Sequence, residues 1–347
     1  MAIRVLVVDD SAVMRRAVSK LLESDERIEV VGRAKNGAEG VKLAETLKPD
    51  IVTLDVEMPE MDGLTALPKI KRVCSAHVVM CSSLTGEGSR AAIDAMRLGA
   101  SDAIAKQMFG ETPGAGRIDD ALLGKVLALA GTSPPKRDQR SSDRVPDLGR
   151  SIGLVVVGSS TGGPPALEAF LHALGPATPF PVLIAQHMPR AFTESLAERL
   201  DAECPLPVLH ADHRMPALPG RVYVAQGGRQ MRVDRGPGGA LRIGVSDEKV
   251  DSLYKPSINY LFESAAAAVG AETLAVVLTG MGEDGAAGAQ VIKQAGGAVL
   301  AQSESTCVVY GMPKAVVTAG MHDGVASPEA LGAAVARAAG RTSRRAG

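Results

Sequence analysis

The chain has 347 residues, 46% of them hydrophobic, and 38 Lys and Arg against 39 Asp and Glu leave a net charge of −1. At roughly 100–200 residues per domain, that length predicts two domains, each with its own core. The balanced charge and an aromatic content of 3% exclude a dedicated nucleic-acid binder, which needs a basic face and stacking platforms.

Apolar runs at residues 3–8, 28–32, 51–54 and 78–81, and a weaker one at 103–105, alternate with helical patterns at 12–22, 37–47, 63–73, 87–98 and 118–130. Runs that are apolar throughout are buried on both faces, which predicts a parallel sheet covered by helices. Right-handed crossovers then give a doubly wound domain. Residues 131–150 are rich in Pro, Ser and charge, lack apolar periodicity and read as a flexible linker. A second α/β pattern follows, with strands at 154–157, 182–185, 222–225, 274–278 and 298–301 and helices at 165–174, 191–200, 258–269, 286–294 and 328–339. Residues 207–245 hold short runs broken by Gly227-Gly228 and Gly236-Pro237-Gly238-Gly239, which predicts a small antiparallel insertion. Residues 340–347 read as a frayed tail.

The four cysteines, Cys74, Cys81, Cys204 and Cys307, form no CxxC pair and match no zinc spacing, so reduced, mostly buried thiols are expected. Asp9 and Asp10 stand where a signal peptide would continue its apolar core. No run reaches the ~18 apolar residues of a membrane span. The expected location is the cytoplasm, without direct membrane insertion.

Asp9 and Asp10 end the first apolar run and Asp55 ends the third. In a doubly wound sheet these strands are neighbours at the switch point, so the three carboxylates converge. Such an oxygen cluster suits Mg²⁺, and a carboxylate beside it can accept a phosphoryl group. Ser82 after the fourth run and Lys106 after the fifth add a hydroxyl and an ammonium at the same rim.

In the second half, Gly158-Ser159-Ser160-Thr161-Gly162 follows a strand and opens a helix. It fits the G-x-S-x-G turn that exposes a nucleophile, although a Gly-rich turn of this kind can also simply bind phosphate. His187 ends the next apolar strand and is the best-placed base. His77, His172 and His322 read as surface imidazoles, and His210 and His213 form an H-x-x-H pair without a third metal ligand. Gly280-Met281-Gly282-Glu283-Asp284-Gly285 repeats the strand-then-turn device, with Asp284 or Glu283 as the acid. The order Ser…His…acid differs from that of α/β-hydrolases, so a different scaffold would carry the same geometry.

Val-Val-Asp-Asp-Ser, Leu-Asp-Val-Glu-Met-Pro-Glu-Met-Asp-Gly and Met-Cys-Ser-Ser make residues 1–130 resemble the response-regulator receiver domain. That resemblance implies Asp55 as phosphate acceptor from a histidine kinase. It implies Mg²⁺ held by Asp10, Asp55 and the Glu57 carbonyl with Asp9 assisting, Ser82 as switch hydroxyl and Lys106 at the phosphoryl oxygens. Ala103 and Gln107 depart from the family, which favours an aromatic and a proline at those places. Gly-Ser-Ser-Thr-Gly-Gly, Gln-His-Met-Pro, Leu-Thr-Gly-Met-Gly-Glu-Asp-Gly and Gln-Ser-Glu-Ser-Thr-Cys-Val-Val-Tyr-Gly-Met-Pro resemble the chemotaxis protein-glutamate methylesterase (CheB) family.

Its catalytic positions fall on Ser160, His187 and Asp284, with Thr161 and the backbone around Met281 near the oxyanion. Where that family has Asn-Arg-His-Arg-Pro-Ser-Val-Asp, this chain reads Asp251-Ser252-Leu253-Tyr254-Lys255-Pro256-Ser257-Ile258-Asn259, keeping the Pro-Ser and losing the arginines and the histidine. Lys255 and Ser257 are therefore candidates for the substrate region. Together these expectations give an α/β protein of two doubly wound domains. Residues 1–130 form a five-stranded parallel flavodoxin-like receiver, 131–150 a linker, and 151–342 a mostly parallel hydrolytic domain with a small antiparallel insertion. The implied function is phosphorylation-activated demethylation of chemoreceptor glutamates, with glutamine deamidation beside it and no cofactor for hydrolysis. The receiver is expected to restrain the catalytic rim until Asp55 is modified. The alternatives are the same chemistry on a receptor-like target outside chemotaxis, and a non-catalytic output module.

Overall fold

The computed structural model describes residues 2–106, 119–132, 145 and 148–345. Chain contacts divide it into two units, Met1–Pro134 and Pro135–Gly347.

In the first unit β1 (Ile3–Val8), α1 (Ala12–Leu22), β2 (Ile28–Ala34), α2 (Gly37–Leu47), β3 (Ile51–Asp55), α3 (Gly63–Val73), β4 (His77–Ser82), α4 (Gly86–Arg97), β5 (Asp102–Ala105) and α5 (Asp119–Ala130) alternate. The strands lie in the order β2-β1-β3-β4-β5, all parallel. Every residue of β3 and β4 is buried, which is why these strands read as unbroken apolar runs. Each of the first four helices starts on a polar side chain that accepts from a backbone N–H of its first turn: Ser11 from Met14, Asn36 from Glu39, Asp62 from Thr65 and Thr85 from Gly88. Each such cap stabilises by about 1 kcal/mol and fixes where the chain turns from strand to helix.

The second unit runs β6 (Leu154–Ser159), α6 (Gly163–Leu174), β7 (Val182–Gln186), α7 (Arg190–Glu203), β8 (Val208–His210), β9 (Val222–Val224), β10 (Gln230–Arg235), β11 (Leu241–Ser246), α8 (Ile258–Val269), β12 (Thr273–Val277), α9 (Ala286–Gln294), β13 (Ala298–Gln302), α10 (Met312–Thr318), β14 (Gly324–Ala326) and α11 (Pro328–Arg345). Seven of these strands form one parallel sheet, β14-β13-β12-β6-β7-β9-β8. From β6 the chain builds one way through β7 and β9, then returns to add β12 on the other side. The switch point therefore lies between β6 and β12, where open α/β sheets form their ligand crevice. β10 and β11 pair antiparallel beside this sheet, and α8 packs on β10 and α9.

This pair, at Gln230–Arg235 and Leu241–Ser246, is the small antiparallel insertion that the sequence predicts. Val208–His210 joins the main sheet parallel to β9. α11 continues to Arg345 where a frayed tail is expected. His77 is not a surface imidazole but 3% exposed. Its Nδ1 meets Ser101 Oγ at 2.9 Å and its Nε2 the Thr132 carbonyl at 3.1 Å. His172 is exposed and His322 half-buried. Cys81 and Cys307 are buried, Cys74 and Cys204 partly so, and all four are free. Most of the 131–150 segment, and Gln107, lie outside the described residues.

Candidate active site

The register of β6 on β7 pairs Ser159 with Gln186, so Ser160 and His187 leave the sheet side by side. The His187 N–H donates to the Ser159 carbonyl at 3.1 Å, and the Ser160 N–H donates to the Thr279 carbonyl, just past β12, at 3.0 Å. One buried side chain locks the pair of turns together. Gln186, 1% exposed, accepts from Ser159 Oγ at 2.6 Å and donates to the Ser160 carbonyl at 2.9 Å. On the other flank, Thr279 Oγ1 donates to the Thr161 carbonyl at 2.9 Å, and its N–H donates to Gln302 Oε1 at 2.7 Å. Gly162 has φ +77°, which lets the chain enter α6 immediately. Ser160 is 9% exposed, and its hydroxyl makes no hydrogen bond among the described residues.

The carboxylate that meets the imidazole is Asp284, at 2.9 Å from His187 Nε2, while Glu283 is exposed. Asp284 is 5% exposed and sits on the N-terminus of α8. Its Oδ2 also accepts from the Ile258 N–H at 2.8 Å and its Oδ1 from the Asn259 N–H at 2.9 Å and Ser257 Oγ at 3.4 Å. Burial pushes this carboxyl up, but the bond and charge of His187 and the two backbone donors hold it below its ordinary value. A carboxylate acceptor on Nε2 leaves Nδ1 as the lone-pair nitrogen of the ring. Nδ1 is buried and without a partner among the described residues. Asn259 Oδ1 then accepts from the Gly285 and Gly288 N–H groups, both at 2.8 Å, and fixes the turn that carries Asp284.

Ser257 is not at a substrate surface: it is 1% exposed and caps α8 under the acid. Lys255 is exposed. Thr161 is 1% exposed, and Met281 is half-buried, its N–H free of any hydrogen bond among the described residues. Three contributors escape the sequence reading: Gln186, Gln302 and Tyr254. The glutamines carry a recognisable signal, a polar residue directly after an apolar run. His210 and His213 serve separate bonds, to Thr193 Oγ1 and from the Val245 N–H, and do not form a ligand pair.

In the first unit the carboxylates of Asp9, Asp10 and Asp55 come within 4.8 Å of one another at the β1/β3 switch point. This all-oxygen donor set fits a small divalent cation. Lys106 Nζ lies 2.5 Å from Asp55 and 3.1 Å from Asp9. Burial pushes the Asp55 carboxyl up to about 6 against the pull of Lys106. Asp55 Oδ1 accepts from the Glu57 N–H at 3.2 Å. Ser82 is 1% exposed and donates to the Gly88 carbonyl at 2.6 Å, into the first turn of α4.

Comparison with known proteins is specific in both halves. Residues 155–335 match the family described as CheB methylesterase, and residues 5–112 match the response regulator receiver domain. The protein-glutamate methylesterase/protein-glutamine glutaminase 1 of Oleidesulfovibrio alaskensis is 44% identical over 366 residues, covering 97% of this chain and 99% of the relative. The like-named protein 1 of Pseudomonas aeruginosa is 40% identical over 364 residues, covering 96% and 98%. The CheB methylesterase catalytic domain of Thermotoga maritima superposes with a TM-score of 0.52 at 36% identity, covering 54% of this chain and 99% of that one. Fold and match together define a hydrolase joined to a response-regulator receiver. The chain belongs to the CheB methylesterase family.

Proposed function

We propose that this chain hydrolyses the methyl esters of glutamate side chains on chemoreceptors, and by the same chemistry deamidates receptor glutamines, under control of phosphorylation at Asp55. The observation that carries the reading is His187, bound to Asp284 through Nε2, with Nδ1 unpartnered on the rim where Ser160 opens α6. Nδ1 takes the Ser160 proton as Oγ bonds to the γ-carbonyl carbon. The proton then passes to the leaving methoxide, or to the amide nitrogen of a glutamine substrate, as the bond to that group breaks, and methanol or ammonia departs. Water, deprotonated by Nδ1, cleaves the acyl-enzyme and restores the hydroxyl. Asp284 stabilises the imidazolium through both steps. The free N–H of Met281, with the backbone at Thr161, binds the oxyanion, each donor supplying about 3 kcal/mol. Lys255, exposed beside this rim, meets the receptor. Residues 1–130 act as receiver, 131–150 as linker and 151–342 as catalytic domain, a division supported by the unmatched stretch between the two family matches.

Asp55 is the phosphoryl acceptor from a chemosensory histidine kinase, with Lys106 at the phosphoryl oxygens and Ser82 as the hydroxyl that reorients. Asp9, Asp10, Asp55 and the Glu57 carbonyl are the groups that hold Mg²⁺, which when bound neutralises phosphoryl oxygens. The chemistry proposed, with a histidine kinase as phosphodonor, suits a cytoplasmic setting. Among the described residues no helix is long and apolar enough to cross a membrane. Ser160→Ala is expected to abolish methanol release from methylated chemoreceptor while leaving the unfolding free energy within about 0.5 kcal/mol of wild type. Turnover that survives this substitution refutes the assignment.

A further inference from the structure

The stretch between β11 and α8 holds a side chain that lies on the base. The ring of Tyr254 stacks on His187 with centroids 4.1 Å apart and planes 8° from parallel. The backbone holds this ring in place. The Tyr254 N–H donates to Ser252 Oγ at 3.1 Å, and its carbonyl accepts from Gln230 Nε2 at 3.0 Å. Gln230 is fully buried and accepts from the Ser257 N–H at 2.7 Å, tying the segment to the start of α8. The Lys255 carbonyl accepts from the Gly228 N–H at 3.0 Å. The phenol end reaches the turn after β12, where a Cβ on Gly282 would stand 3.2 Å from the hydroxyl. Leu253, the preceding residue, is 86% exposed, so the segment turns the aromatic ring inward and leaves the aliphatic side chain in water.

An imidazole tethered to a carboxylate through one nitrogen keeps the freedom to tilt about that bond. A flat ring on one of its faces removes that freedom, and it also spans from the base to the turn bearing Met281. We propose that Tyr254 is a positioning residue of the hydrolytic site, its ring holding the plane of His187 so that Nδ1 is kept in one orientation for its exchange of the proton with Ser160. This rests on Ser160 and His187 being nucleophile and base. It predicts a defect in the chemical step and not in receptor binding, and one that depends on the ring and not on the hydroxyl.

The test compares full-length Tyr254→Leu, Tyr254→Phe and Ser160→Ala, each checked for folding by circular dichroism. Methanol release from methylated chemoreceptor gives kcat and KM, and a fluorophosphonate probe gives the rate of serine acylation without receptor. Tyr254→Leu is expected to lower both kcat and the labelling rate about three- to tenfold, the rate equivalent of an aromatic stack, with KM nearly unchanged. Tyr254→Phe restores both rates. Unchanged rates in Tyr254→Leu, a loss confined to KM, or a phenylalanine variant as slow as the leucine variant each overturn the inference. Labelling and turnover that persist in Ser160→Ala sink the underlying site assignment instead.

Discussion

Asp284→Asn separates the acid's two duties. The carboxylate accepts four hydrogen bonds: Oδ2 from His187 Nε2 and the Ile258 N–H, and Oδ1 from the Asn259 N–H and Ser257 Oγ. A carboxamide has one acceptor oxygen, so one pair of donors must face an NH₂ group. If the NH₂ takes the Oδ1 place, the Asn259 N–H is left buried without an acceptor, and His187 keeps its tautomer but loses the charge that steadies its cation. If it takes the Oδ2 place, the Ile258 N–H is orphaned. His187 must then accept at Nε2, so the proton sits on Nδ1 and the base is spent. Either arrangement costs about 1–3 kcal/mol of stability for the orphaned donor, and the rate is expected to fall about 10³- to 10⁴-fold. Urea unfolding and methanol release from methylated chemoreceptor measure the two effects on one preparation. Turnover within about tenfold of wild type, at full stability, would show that Asp284 neither orients nor charges the base.

Gly163→Ala places a methyl 2.0 Å from Gln186 Oε1. Displacing that carboxamide breaks its bonds to Ser159 and Ser160, so a loss of about 1–3 kcal/mol by urea unfolding is expected, together with reduced turnover. For His77, burial pulls the imidazole below its ordinary 6.5, with the Thr132 carbonyl opposing. Because the folded value lies below the unfolded one, the stabilisation is complete above about pH 6.5 and is lost as pH falls through it, at no more than about 1.4 kcal/mol per pH unit. The protection of the β4 amides against hydrogen exchange, corrected for the intrinsic exchange rate at each pH, is expected to decline as pH falls below about 6.5, and His77→Gln to flatten that dependence. Removing divalent cations with EDTA is expected to abolish phosphorylation of the chain by acetyl phosphate, as is Asp55→Asn, while hydrolysis by the unphosphorylated protein is unaffected by the chelator.

Strands that are buried on both faces were the most legible part of the fold. β3, β4, β6 and β13 are buried along their whole length and stand out as continuous apolar runs. β8 and β14 have three residues each, too short for any periodicity to emerge, and they hold their places through pairing with β9 and β13. α10 begins directly after the Gly311 turn with Met312-Pro313, a start that reads as more loop. At the site, the serine, imidazole and acid were legible because each follows a strand and sits in a glycine turn or before a proline. Gln186 and Gln302 stand out as polar residues after apolar runs, but their partners depend on which strand lies beside which, and the contact of Tyr254 with His187 depends on how the segment before α8 folds back. His77 was misread for the same reason: its two bonds reach Ser101 and Thr132, far along the chain, and satisfy a ring that otherwise belongs in water.

The bonds around Asp284 also bear on how such a domain can change over time. Three of its four donors belong to the start of α8, so the acid secures a helix whether or not anything is hydrolysed. Ser160 has no comparable duty, since its hydroxyl holds nothing among the described residues. A descendant released from the need for turnover would therefore keep its aspartate to stay folded and let its serine drift. Among descendants of this chain, the identity of residue 160 reports on activity, and that of residue 284 reports mainly on stability.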